Sequence, residues 1–103
     1  MDKVARWTTP TFSYKPSLVE AANIAEIFLV LKQSGQVVLS KNMESATISD
    51  GTFFWNLSQE DTGAIRSGKE LAVKIDYKDR FGKRYTTEPK LYTVDESGIN
   101  EVI

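Results

Sequence analysis

Between residues 71 and 78 apolar and polar positions alternate without a break. Leu71, Val73, Ile75 and Tyr77 fall on one side, and Ala72, Lys74, Asp76 and Lys78 on the other. A period of two is what a strand shows when one face lies on a core. The same period runs through Ile24–Gln33, with Ile27, Leu29 and Leu31 facing one way and Glu26, Phe28, Val30 and Lys32 the other. Because that second face is half apolar, the pattern predicts a central strand covered on both sides for part of its length. Ser34-Gly35 is a two-residue turn with glycine where positive φ is needed. The chain then returns through Gln36–Lys41, which places Val37 and Leu39 inward.

Four further segments read as strands. Residues 8–15 are rich in Thr, Phe and Tyr, which favour extended backbone. Pro10 lacks a backbone donor and marks this strand as an edge, and Pro16 ends it. Residues 45–49 and 52–57 flank Asp50-Gly51, a strong hairpin signal, and place Phe53, Trp55 and Leu57 on one face. The turn at 79–82 leads into a last long strand over 83–94, interrupted at Pro89. Two helical turns are predicted. One lies in 17–22, from the capping-box spacing of Ser17 and Glu20. The other lies near 58–66, where Ser58 can cap and Glu60 and Asp61 suit the first turn. Gly68 closes this connection.

Seven strand candidates with short turns predict an all-β protein. Their number and spacing suit an antiparallel immunoglobulin-like β-sandwich, one domain over residues 1–103 with a flexible tail at 95–103. The expected core is Leu29, Leu31, Val37, Leu39, Trp55, Leu71, Val73 and Ile75, with Tyr77 adding bulk.

Composition narrows the chemistry. The 103 residues contain no His and no Cys, which removes the commonest general base, the commonest metal ligand and the thiol nucleophile together. With no disulfide framework, the domain must stand on its core or on partners. Glu60 and Asp61 are adjacent and diverge by about 100° on a helical turn, so capping explains them better than paired acid–base work. Asp76, Asp79 and Asp95 have no catalytic spacing. There is no calcium-loop motif, phosphate cradle or nucleophile elbow. The expectation is no catalytic, cofactor or metal residue and no small-molecule substrate.

A net charge of −1 argues against nucleic-acid binding as the main task. Lys78, Arg80, Lys83 and Arg84, interleaved with Tyr77, Phe81 and Tyr85, read as a soluble hairpin tip. The longest apolar run, from Ile27 to Leu31, falls far short of a membrane span of roughly 18 residues. The opening MDKVARWTTP has no secretory apolar region. The expectation is therefore no membrane partner and no export by a signal peptide.

Surplus apolar residues are the stronger signal. If Phe53 and Trp55 fill the core, Phe54 points out of the opposite side, and Phe28 poses the same problem on its own strand. In the tail, Ile99, Val102 and Ile103 make an apolar stripe among acidic residues. Exposed large apolar groups suggest an interface, so Phe28, Phe54, Ile99, Val102 and Ile103 are the candidate interface residues.

Four segments carry a family resemblance in order along the chain: RWTTPTF (6–12), IFLVLKQSGQVVLSK (27–41), LSQEDT (57–62) and GKELAVKIDYKD (68–79). They resemble small prophage-encoded tail and baseplate-type proteins with an immunoglobulin-like domain, similar to the N-terminal domain of phage baseplate upper proteins. The chain departs from that pattern at Trp7, where Gly is common, and at Phe12, where His is common.

The resemblance implies a non-enzymatic structural or assembly component of a phage or prophage tail. Its partners would be other phage structural proteins or itself as a homo-oligomer. It would sit in the bacterial cytoplasm during assembly and then in the virion. It brings no catalytic residues. Two other readings stay open: a carbohydrate- or peptide-binding module using Trp7, Trp55 and exposed tyrosines, and a small carboxylate-based enzyme. Aromatics along one open groove would favour the first of these, and a buried acidic pair in a pocket the second. Flat apolar patches on sheet faces or edges would favour assembly.

Overall fold

The alternating segments become strands that meet in two sheets. The structure, a computed structural model, describes residues 2–99 and 101–103. Among them nine strands form: β1 (Asp2–Ala5), β2 (Thr11–Tyr14), β3 (Ile24–Gln33), β4 (Gln36–Lys41), β5 (Ala46–Ser49), β6 (Thr52–Asn56), β7 (Leu71–Asp79), β8 (Arg84–Thr86) and β9 (Lys90–Asp95). One short helix, α1 (Gln59–Gly63), follows β6. The larger sheet runs β1-β9-β7-β3-β4, with β8 also paired to β7, and the smaller runs β2-β6-β5.

The protein is mostly β, as the alternation predicts, but the sheets are mixed rather than wholly antiparallel. β1 pairs with β9 in parallel, Val4 lying beside Val94. Strand β1 has no counterpart among the seven expected strands. The expected strand over 83–94 is two strands, which pair with different halves of β7: β8 with Asp76, Tyr77 and Lys78, and β9 with Leu71, Ala72 and Val73. Between them Thr87 holds the gap, its amide donating to the Ile75 carbonyl and its hydroxyl accepting from the Ile75 amide. Pro89 cannot donate to the ladder, so the strand breaks beside it.

The two sheets share one core. Ile27, Leu29, Leu31, Leu71, Val73, Ile75 and Tyr77 come from the larger sheet and Phe53 and Trp55 from the smaller, with Leu57 and Ile65 closing the base. Each fully buried Leu, Ile or Phe contributes about 1.5–3 kcal/mol. Ring contacts join the layers, Phe12 on Tyr92 with centroids 5.6 Å apart and Tyr14 on Tyr77 at 5.9 Å.

Val37 departs from the expected core. Leu31 pairs with Leu39 but Lys32 with Val37, so Val38 is an extra residue on β4. That bulge shifts the alternation by one and turns Val37 outward beside Lys32, where it is 57% exposed. Leu39 stays on the inner face, half-buried. Both hairpin turns follow their sequence signals: Ser34 and Gly35, and Asp50 and Gly51, all have positive φ, as a type I′ turn requires.

The first strand is shorter than the expected 8–15 and starts after Pro10. β2 is an edge of its sheet, as that proline predicts. The Ser17–Glu20 capping box does not form. The helical turn there is a 3-10 turn at Ala21–Asn23 that begins after Glu20, without a side-chain cap. The second capping box does form, because the Ser58 hydroxyl accepts from the Asp61 amide and the Asp61 carboxylate accepts from the Ser58 amide. Burial acts to raise the Asp61 carboxyl, but the Ser58 bonds and the Lys41 ammonium overrule it and hold it below the usual range.

Two of the resembling segments meet at the base of the fold. The buried Thr62 hydroxyl donates to the Thr8 carbonyl and accepts from the Thr8 amide, while the Leu57 amide donates to the Pro10 carbonyl. Their residues are joint chemistry that ties the β1–β2 connection to α1.

Candidate interaction surface

The outward side of the larger sheet has no layer over it among the described residues, and its composition is unusual for a solvated face. Cross-strand pairing sets the outward side chains in rows. At the base, Val37, Lys32, Ala72 and Leu91 stand side by side on four neighbouring strands. Above them come Ser40, Val30 and Lys74, then Phe28, Asp76 and Thr86, and last Glu26, Lys78 and Arg84. An apolar strip of Val37, Val30, Phe28, Ala72 and Leu91 therefore runs between charged side chains. Val37 and Leu91 are exposed, while Phe28 and Val30 are half-buried, their neighbours' aliphatic stems being long enough to lie over them.

Over β3, β4, β7 and β8 the face carries four cations, Lys32, Lys74, Lys78 and Arg84, against three carboxylates, Glu26, Asp76 and Glu70, and toward the β1 edge Lys3 pairs with Asp95 at 3.8 Å. Two of these carboxylates are engaged within the face, since Glu26 pairs with Lys78 at 3.5 Å and Asp76 accepts from the Thr86 hydroxyl. Lys32, Ala72 and Lys74 also line a recess with Gly35, Glu70 and Pro89. In a chain of net charge −1 this is a local excess of positive charge on a partly apolar, pleated surface.

The loop after β7 extends the same character to one end of the molecule. The Asp79 side chain is buried and organises the turn. One carboxylate oxygen accepts from the Phe81 and Lys83 amides, both at 2.9 Å, and the other from the Tyr85 hydroxyl at 3.3 Å. Burial pushes the Asp79 carboxyl up, but the Lys83 and Phe81 amides and the Tyr85 hydroxyl outweigh it and hold it below the ordinary value. So fastened, the turn presents Phe81 at 78% exposure, with the Arg80 guanidinium 5.3 Å from its ring centre. The Arg80 amide donates to the Asn23 carbonyl, which brings the 15–20 loop and its exposed Leu18 to the same end.

The five candidate interface residues do not form one surface. Phe28 belongs to the strip just described. Phe54 is half-buried on the outward side of the smaller sheet, between Ser13 and Thr47, on the opposite side of the molecule. Ile99, Val102 and Ile103 lie in the closing segment at 53%, 50% and 81% exposure. That segment is fastened through its backbone, because the Ile103 amide and carbonyl both bond the Gln59 side chain, at 2.7 and 3.1 Å. Upstream, Arg6 pairs with Glu96 at 2.8 Å.

Val37, Leu91, Lys32 and Lys74 were not among the candidate interface residues read from the sequence, where Val37 was assigned to the core. Lys32 and Lys74 stood in the polar half of two clear alternations, but Val37 needed the bulge and Leu91 the split at Pro89.

The aromatic and acidic alternatives find less. Trp55 is 1% exposed and its indole N–H donates to the Asn42 carbonyl, so it offers no stacking face. Trp7 is half-buried, with Arg6 over its ring and Gly63 against it. Tyr77 is buried and stacked on Tyr85 with centroids 4.8 Å apart. Asp61 and Asp79 are occupied as caps of a helix and a turn. Among the described residues no group of three or more carboxylates is placed to hold a metal ion, and no helix is long and apolar enough to cross a membrane. No family model matches the chain, and no curated protein matches it.

Proposed function

We propose that this chain is a non-enzymatic structural component that assembles through its sheet surfaces, and that its particle is a phage or prophage tail or baseplate. The observation that carries assembly is the outward strip on the larger sheet. There Val37, Val30, Phe28, Ala72 and Leu91 lie between cations on a broad pleated surface, where a monomer would gain from polar residues. The resemblance of residues 6–12, 27–41, 57–62 and 68–79 is what points to a tail particle. The same reading takes the two facing sheets as an immunoglobulin-like sandwich, whose layers pack face to face over a shared core.

The stacking-platform alternative is weakened by the burial of Trp55 and the cover on Trp7. Particles purified from an induced lysogen on a density gradient provide the test. The chain should co-migrate with tail proteins at stoichiometric abundance by mass spectrometry. Recovery only in the soluble lysate fraction would overturn the particle reading.

A further inference from the structure

We infer that the closing segment of one copy, residues 96–103, docks across the outward face of the larger sheet of a second copy. The inference rests on the assembly reading for the premise that this face is a contact surface, and it names the occupant. Two features of the same chain are complementary. The face sets an apolar strip among a majority of cations. Around Ile99, Val102 and Ile103 the only charged side chains of the segment are the carboxylates of Glu96 and Glu101.

The segment's fastening presents that stripe instead of burying it. Gln59 holds the backbone of Ile103, and Arg6 holds Glu96, while the three apolar side chains remain half or more exposed. Gln59 begins the helix that follows β6, so Ile103 is tied to that helix and not to the strands of its own outward face. A second copy is then the natural recipient. Because the two patches differ, the contact is head-to-tail and repeats, closing into a ring or continuing as a filament. Opposite charge would set the register and the apolar side chains the lifetime.

Sedimentation of the full chain tests this at about 100 μM, a concentration that saturates a contact of micromolar strength. The wild type should associate, and removal of residues 96–103 should leave a monomer. Lys32→Glu with Lys74→Glu on the face, or Glu101→Lys in the segment, should each weaken association about ten-fold or more. Mixing the face-reversed with the segment-reversed chain should restore it. Circular dichroism of each variant separates lost association from lost folding.

A monomeric wild type at this concentration would overturn the contact, as would a truncated chain that associates equally well or a mixture that shows no rescue. Such a failure is distinct from failure of the particle reading, which gradient co-migration tests on its own.

Discussion

The benzo ring of Trp7 lies directly on the α-carbon of Gly63, where a β-carbon would come within 2.5 Å of the ring. Trp7 has φ 62°, a left-handed backbone that costs a bulky residue about 1–2 kcal/mol. The ring recovers part of that cost by filling the space above Gly63, under the Arg6 guanidinium, which also donates to the Gly63 carbonyl at 2.6 Å. Gly63→Ala should therefore destabilise by about 1–3 kcal/mol through overpacking. In a Trp7→Gly background most of that penalty should vanish, a coupling of about 0.5–3 kcal/mol in a urea double-mutant cycle. Additive effects would mean that the two residues do not share the space.

The core assignment separates Val37 from its neighbours. Leu29 and Ile75 are paired across β3 and β7 and buried, so each truncation to Ala should cost about 2–5 kcal/mol. Val37→Ala should change stability by only about 0.5 kcal/mol, because the bulge has already turned the side chain to solvent. Denaturant midpoints check all three. A loss at Val37 equal to that at Leu29 would place it back in the core.

Asp79 makes the fold acid-sensitive in a stated direction. Its folded value lies below the ordinary 3.8, so the stability it adds is fully present above that value. It is lost as pH falls through the folded value. Asp79→Asn should lower the urea midpoint at neutral pH, and the gap to wild type should close as pH falls below the ordinary value of 3.8. A gap independent of pH would show that shape and not charge holds the turn.

Nucleic-acid binding at physiological salt should be negligible despite the cations near Phe81. Arg80 lies over Phe81, and Lys83 sits 5.4 Å from the centre of Tyr85, which also stacks on Tyr77. Tyr77 and Tyr85 are stacked on each other, so only Phe81 offers an open face for a base, and so small a cation cluster neutralises few phosphates. A gel shift showing micromolar binding that Arg80→Glu with Lys83→Glu abolishes would contradict this.

Much of the fold was legible because local chemistry and pattern agreed. The alternation in β7 and β3, the Ser34-Gly35 and Asp50-Gly51 turns and the Ser58–Asp61 capping box each need only neighbouring residues. What escaped depends on distant partners. Strand β1 offers one buried residue, Val4, and exists through parallel pairing with β9 some ninety positions away. The Val38 bulge leaves no mark in a run of apolar residues. The candidate surface was half legible for the same reason. Period two assigns a residue to one side of its own strand, as it did for Phe28 and Phe54. It does not say which strands become neighbours, and so could not assemble Val37, Lys32, Ala72 and Leu91 into one row.

The central claim is that the outward face of the larger sheet is a contact surface in the assembled state. Lysine acylation footprinting, comparing the chain in purified particles with the isolated chain at low concentration, measures this directly. The account predicts that Lys32 and Lys74 lose reactivity on assembly, while Lys15, exposed in the loop after β2, keeps it. Equal labelling of Lys32 and Lys74 in both states would contradict the account.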